Sequence, residues 1–126
     1  MNENKRLIKS YLDALSGRNK TPELVAKYVA DKALAQHIAE VEAAFPSYEL
    51  IPEQTLGEDD MVVVRGTFRG VHRGAFAGID PTGKAVSAGL IIIYEVQNNR
   101  IVHHWMQFDL FSLLQQLQDK SAGTTA

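Results

Sequence analysis

Asp109 is a lone carboxylate at the end of a stretch that is otherwise apolar or neutral, between Phe108 and Leu110. Flanking of that kind partly desolvates a carboxylate and raises its pKa toward the range useful for proton transfer. Such a group can remove a proton α to a carbonyl and return it elsewhere. Strand alternation places Asp109, Gln107, Trp105 and His103 on one face if no bulge intervenes. Trp105 then offers an apolar wall and one N–H donor, and Gln107 can orient a carbonyl. Each residue has a plainer reading. Asp-Leu-Phe-Ser is also a helix start with Asp109 as its cap, and Trp105 is also an ordinary core residue. Tyr11 can reach the same pocket as a hydroxyl donor, or serve as a core aromatic with a satisfied hydroxyl.

The chain has four histidines. His37 lies beside Ile38 and can face the pocket as a proton partner of Asp109, or be a half-buried structural residue. His72 stands just before a Gly-rich loop, where ordering the turn suits it better than chemistry. His103 and His104 are adjacent on a strand, face opposite ways and cannot chelate one metal. No His pair at ligand spacing has a suitable carboxylate, so no metal site is expected. Arg65, Arg69 and Arg73 share one parity, either to bind an anion or to form a solvated face. No phosphate loop or dinucleotide fingerprint is present, and no cofactor is indicated.

These residues need elements to position them. Leu7, Ile8, Tyr11, Leu12 and Leu15 fall on one helical stripe, closed by Ser16-Gly17. Thr21-Pro22-Glu23 reads as cap, first position and dipole complement of a short second helix. A third helix opens at Asp31, carries Leu34, Ile38, Val41 and Phe45 on one side, and stops at Pro46. Strands follow: one from Tyr48, interrupted or edged by Pro52; Met61 to Val71; Lys84 to Val96; and Ile101 to Asp109. Arg73 to Gly83 is the Gly-rich loop, and Gln97-Asn98-Asn99-Arg100 a hairpin turn. Leu110 to Leu117 is a short closing helix, and 121–126 a frayed tail. The third and fourth strands carry apolar residues on both parities, so the sheet needs two covers. The helices supply one. A second subunit is expected as the other, with a homodimer seam at His104, Met106 and Phe108.

The chain has 126 residues, 45% of them hydrophobic and 22% charged. That suits one globular domain spanning 1–126, with an ordered core at about 5–118. The net charge of −2 disfavours nucleic acid as a partner, and no polybasic patch invites a membrane. There is no cysteine, which excludes disulfides, thiolate metal sites and a thiol nucleophile. Met1 to Arg6 leads into no long apolar run, and Leu90-Ile91-Ile92-Ile93 is too short to span a bilayer. A cytoplasmic location is the expectation.

Val64-Arg65, Gly70-x-His72-x-Gly74-x-Phe76-x-Gly78-Ile79 and Pro81-Thr82-Gly83-Lys84 together resemble the signature loop of the SnoaL-like polyketide cyclases. Arg100-Ile101-Val102-x-x-Trp105-x-x-x-Asp109 and Leu113-Leu114-x-Gln116-Leu117 follow in the family's order and spacing. Ala44-Phe45-Pro46 resembles its short motif before the first strand. The likeness runs from about Leu7 to Leu117. It implies an α+β fold of the nuclear transport factor 2-like (cystatin-like) kind: a curved antiparallel sheet wrapped around N-terminal helices, cone-shaped, with one central pocket. Ketosteroid isomerase and limonene epoxide hydrolase are similar in fold. Ser47, Val71 and Gln118 depart from the family pattern, so substrate identity does not carry over. In the cyclases the Asp matching Asp109 is the acid/base. Two functions follow as expectations. One is a cofactor-free cyclase, isomerase or lyase acting on a small, mostly apolar carbonyl compound, with Asp109 as acid/base. The other is a non-catalytic dimeric module that binds a small apolar ligand or nothing.

Overall fold

Capping residues set the helix starts. In the computed structural model, which describes residues 2–119, Asn2 accepts from the amides of Asn4 and Lys5 and opens α1 (Glu3–Leu15). Thr21 accepts from Leu24 N–H and opens α2 (Pro22–Ala26), with Pro22 at the position where a missing N–H costs nothing. Asp31 accepts from Ala33 and Leu34 N–H and opens α3 (Lys32–Ala44). The tail expected at 121–126 lies outside the described residues.

The strands are β1 (Glu49–Glu58), β2 (Met61–Val71), β3 (Ala85–Gln97) and β4 (Arg100–Phe108), and α4 (Leu110–Gln118) closes the fold. They form one antiparallel sheet in the order β1-β2-β3-β4. β1 does not end at Pro52. It is an edge strand, and its register shifts between Pro52 and Gln54, so a bulge absorbs the proline. The fold is α+β, a curved sheet with the helices on its concave side. The concave face of β3 is Val86, Ala88, Leu90, Ile92, Tyr94 and Val96, all buried against Ile8, Leu12, Leu34, Ile38 and Phe45.

A second irregularity decides the geometry of the site. In β4, Ile101 pairs with Val96 but His103 pairs with Glu95, which leaves Val102 as the extra residue of a bulge. Ile101 faces inward and is fully buried. Beyond the bulge the parity reverses, so His104, Met106 and Phe108 face inward while His103, Trp105 and Gln107 face outward. Backbone bonds from Ala30 and Asp31 N–H to Ile101 C=O, and from Ile101 N–H to Tyr28 C=O, bind the approach to α3 onto this end of β4. That docking brings Asp31 to His104.

The Gly-rich loop is tied to the C-terminal end of α3: Arg73 and Gly74 N–H both donate to Ala44 C=O. A side chain on Gly74 would meet the Ala43 carbonyl, so only glycine allows the approach. Across the loop, His72 N–H donates to Lys84 C=O and Gly83 N–H to His72 C=O. Lys84 Nζ in turn donates to the free carbonyls of Gln116 and Leu117 at the end of α4.

Candidate functional site

Between α1, α3, α4 and the concave face lies a cavity of about 410 Å³. That volume is in the range of small-molecule pockets. Phe45, Phe68, Ile92, Met106, Phe108 and Leu113 form much of its wall. Edge-to-face ring contacts, Phe45 on Phe68 at 5.2 Å and Phe68 on Phe108 at 5.7 Å, hold that wall in place. The polar groups on the lining are few: His37, Gln107, and the phenols Tyr11, Tyr48 and Tyr94. Among the described residues lining it there is no Asp, Glu, Lys or Arg.

The tyrosines form the buried part of the lining and His37 and Gln107 the exposed part. Tyr11 meets Tyr94 edge-on at 5.7 Å. Burial pushes all three phenols well above their usual pKa, so each stays protonated and acts as a donor rather than a base. The Tyr94 hydroxyl is buried and, among the described residues, has no hydrogen-bond partner at bonding geometry. Its strongest polar neighbour is the Tyr11 hydroxyl.

His37 stands on α3 at the exposed rim. Desolvation lowers its pKa first, and the nearby His104 lowers it further. It is therefore a neutral imidazole at pH 7, able to accept a proton. His104, on the inward face of β4, contacts Asp31 at 2.8 Å through Nδ1. Burial pushes the Asp31 carboxyl up, but its bonds to His104 and to the Leu34 and Ala33 amides outweigh this and hold it below the usual range.

Other expected site residues lie elsewhere. Asp109 is exposed, and its carboxylate accepts from Ser112 N–H at 3.1 Å as the cap of α4. It borders a shallow depression on the convex face with Arg65, Glu53 and Gln107, while its neighbours Phe108 and Leu110 line the cavity. The expected placement of Asp109 beside Trp105 and His103 within the pocket is thus corrected, and the Val102 bulge is the reason. Trp105 is 49% exposed on the convex face, and His103 is exposed there too, 3.2 Å from Glu95. Gln107 borders both the cavity and the depression. His72 is fully buried. Its Nδ1 accepts from Thr82 N–H and lies 3.1 Å from the Thr82 hydroxyl, and its ring packs on Phe45, outside the cavity lining.

The same bulge corrects the expected dimer seam. His104, Met106 and Phe108 turn into the fold, where Met106 and Phe108 line the cavity and His104 holds Asp31. The convex face instead carries Leu56, Val63, Ile93 and Trp105 as one cross-strand row, with Ile91 beside it. Arg65 and Arg69 flank that face, paired with Glu53 and Glu49 at 3.3 and 3.4 Å. The residues that sequence reasoning missed are Tyr48, Tyr94 and the Asp31–His104 pair. Tyr94 follows three isoleucines and reads as one more core position. Asp31 and His104 are joined only by the docking of the α2–α3 connection on β4.

Among the described residues, no helix is long and apolar enough to cross a membrane. No group of three or more metal-ligating side chains is found among them. The family description SnoaL-like polyketide cyclase matches residues 5–117. The search of curated proteins found no match. Among solved structures, the chain is similar to AclR from Streptomyces galilaeus, at 24% identity and a TM-score of 0.79, covering 91% of this chain and 84% of that one. TsrD from Streptomyces laurentii is similar at 22% identity and a TM-score of 0.76, covering 94% and 98%. A SnoaL-like polyketide cyclase from Agrobacterium tumefaciens is similar at 16% identity and a TM-score of 0.75, covering 93% and 99%. At these identities the likeness is one of fold.

Proposed function

Because this chain belongs to the SnoaL-like polyketide cyclase family, we propose that it is a cofactor-free acid/base enzyme acting on a small, mostly apolar carbonyl compound. The observation that carries the reading is the cavity: about 410 Å³, apolar, and lined by one neutral imidazole and three protonated phenols, with no charged side chain. Such a lining suits a neutral ligand and one proton in motion. In this reading His37, not Asp109, handles the proton. The neutral ring takes a proton from a carbon next to the ligand's carbonyl. The C–H electron pair moves into the enolate, and the charge settles on oxygen. His37 then returns the proton to another atom, which completes a proton shift. Alternatively the enolate carbon bonds to a second carbonyl of the same ligand, and the new alkoxide takes the proton, which completes an intramolecular aldol closure. Asp109 keeps α4, and with it Leu110 and Leu113, at the cavity's edge.

The test is hydrogen–deuterium exchange at the α-carbons of 2,6-heptanedione in D2O, followed by proton NMR across pH. The expected result is exchange above the buffer rate. It should decline as pH falls through a value below 6.5, the ordinary histidine pKa. A buffer-level rate at every pH leaves the second reading, a ligand-binding module without turnover, which the lack of a carboxylate on the cavity lining favours.

We also propose a homodimer through the convex face. Leu56 is 58% and Trp105 49% exposed there, and with Ile91 and Ile93 they leave an apolar surface uncovered. A small hydrophobic ligand inside and a second copy outside are the partners this reading implies, in a cytoplasmic protein.

A further inference from the structure

The Tyr94 hydroxyl is the least satisfied polar group on the cavity wall: fully buried, without a hydrogen-bond partner among the described residues, and next to Tyr11. An orphaned buried hydroxyl lowers stability, and the described residues of the surrounding wall give it nothing else to bond. Tyr11 also lines the cavity, from α1. The geometry points to the Tyr11–Tyr94 pair as the anchor for a neutral oxygen acceptor on the ligand, with Tyr11 donating to that oxygen and Tyr94 donating to Tyr11. The inference rests on the reading of this cavity as the ligand site and names the chemistry of its buried end. Two phenols in series strengthen one another, because a hydroxyl that donates a hydrogen bond is polarised into a better acceptor. With no cation on the lining, a ketone or ester oxygen fits this end and a carboxylate does not. His37 at the exposed rim then meets a different part of the same ligand. Tyr11 is the contact residue here and Tyr94 a positioning residue.

The experiment uses two probes of one shape, the ketone 1-tetralone and its hydrocarbon tetralin. Calorimetry measures both with wild type, Tyr11→Phe and Tyr94→Phe. Infrared difference spectra follow the bound ketone's carbonyl stretch. Tyr11→Phe is expected to weaken the ketone about tenfold and Tyr94→Phe about threefold, with tetralin unchanged in both. The carbonyl band, lowered in frequency on wild type, should rise fully in Tyr11→Phe and partly in Tyr94→Phe. Removing the orphan hydroxyl should leave ligand-free Tyr94→Phe at least as heat-stable as wild type. If Tyr94→Phe does not fold, Tyr11→Phe alone decides. Equal losses for ketone and hydrocarbon, or an unmoved carbonyl band, overturn the anchor while leaving the cavity as the ligand site. Failure of wild type to bind either probe overturns both.

Discussion

Asp109 illustrates what residue-level reasoning can and cannot reach. Its position in the motif is plain in the sequence, and so is its competence as a cap. The direction its side chain takes is not, because that depends on a single extra residue, Val102, seven positions upstream. Nothing in Ile101-Val102-His103-His104 marks a bulge. A one-residue shift exchanges the two faces of every residue beyond it, so alternation counted from the inward Ile101 puts His103, Trp105 and Gln107 on the inner face, whereas they stand on the outer one. His37 depends on no such register, since three-and-four helical spacing sets it with Leu34 and Val41 on the cavity side of α3. As a cap, Asp109 has a definite worth. Asp109→Ala should destabilise the protein by about 1 kcal/mol, and Asp109→Asn by much less, because Asn caps nearly as well. Urea unfolding of the three proteins checks this, and equal stability of Asp109→Ala and wild type would deny the cap.

The elements were more legible than the contacts between them. Thr21, Asp31 and the Asp109–Ser112 start announce three helix beginnings by chemistry that sequence shows directly. The meander follows from period-two alternation and its turns. Pro52 misled only in part: it stands on an edge strand, where a bulge lets pairing resume at Gln54. The bond between Asp31 and His104 was invisible, since 73 residues separate them. The Asp31 carboxylate both caps α3 and, beside the backbone bonds to Ile101, adds a side-chain tie to β4. Asp31→Ala removes both and should cost about 2 kcal/mol at pH 7. The pH dependence has a definite sign. The folded carboxyl titrates below its ordinary 3.8, so its stabilisation is present above that value and is lost as pH falls through the folded pKa. Denaturation curves of wild type and Asp31→Ala should therefore converge in acid. A gap that persists well below pH 3 would show that the carboxylate's charge is not what matters.

At the scale of the molecule, the two faces of the sheet have separate work. The concave face builds the cavity; the convex face presents Leu56, Val63, Ile93 and Trp105 in one row across all four strands. Apolar residues on both parities of β3 already signalled that both faces need covering, and only the identity of the outer row was hidden by the bulge. Trp105→Glu puts a charge into the middle of this surface without touching the cavity. It should convert a dimer to a monomer in sedimentation at micromolar concentration while leaving the melting temperature of the monomer fold close to wild type. Wild type sedimenting as a monomer would contradict the homodimer.

Which face carries the chemistry is decided by comparing His37→Gln with Asp109→Asn in the deuterium-exchange reaction of 2,6-heptanedione at pH 7.5. Both substitutions keep the side chain polar and close to its original size, and Asn still caps α4. His37→Gln is expected to fall to the buffer rate, and Asp109→Asn to stay within about twofold of wild type, a difference of under 0.5 kcal/mol in barrier. Loss of exchange in Asp109→Asn with full exchange in His37→Gln would move the reacting centre out of the concave cavity to Asp109 and contradict the assignment of His37.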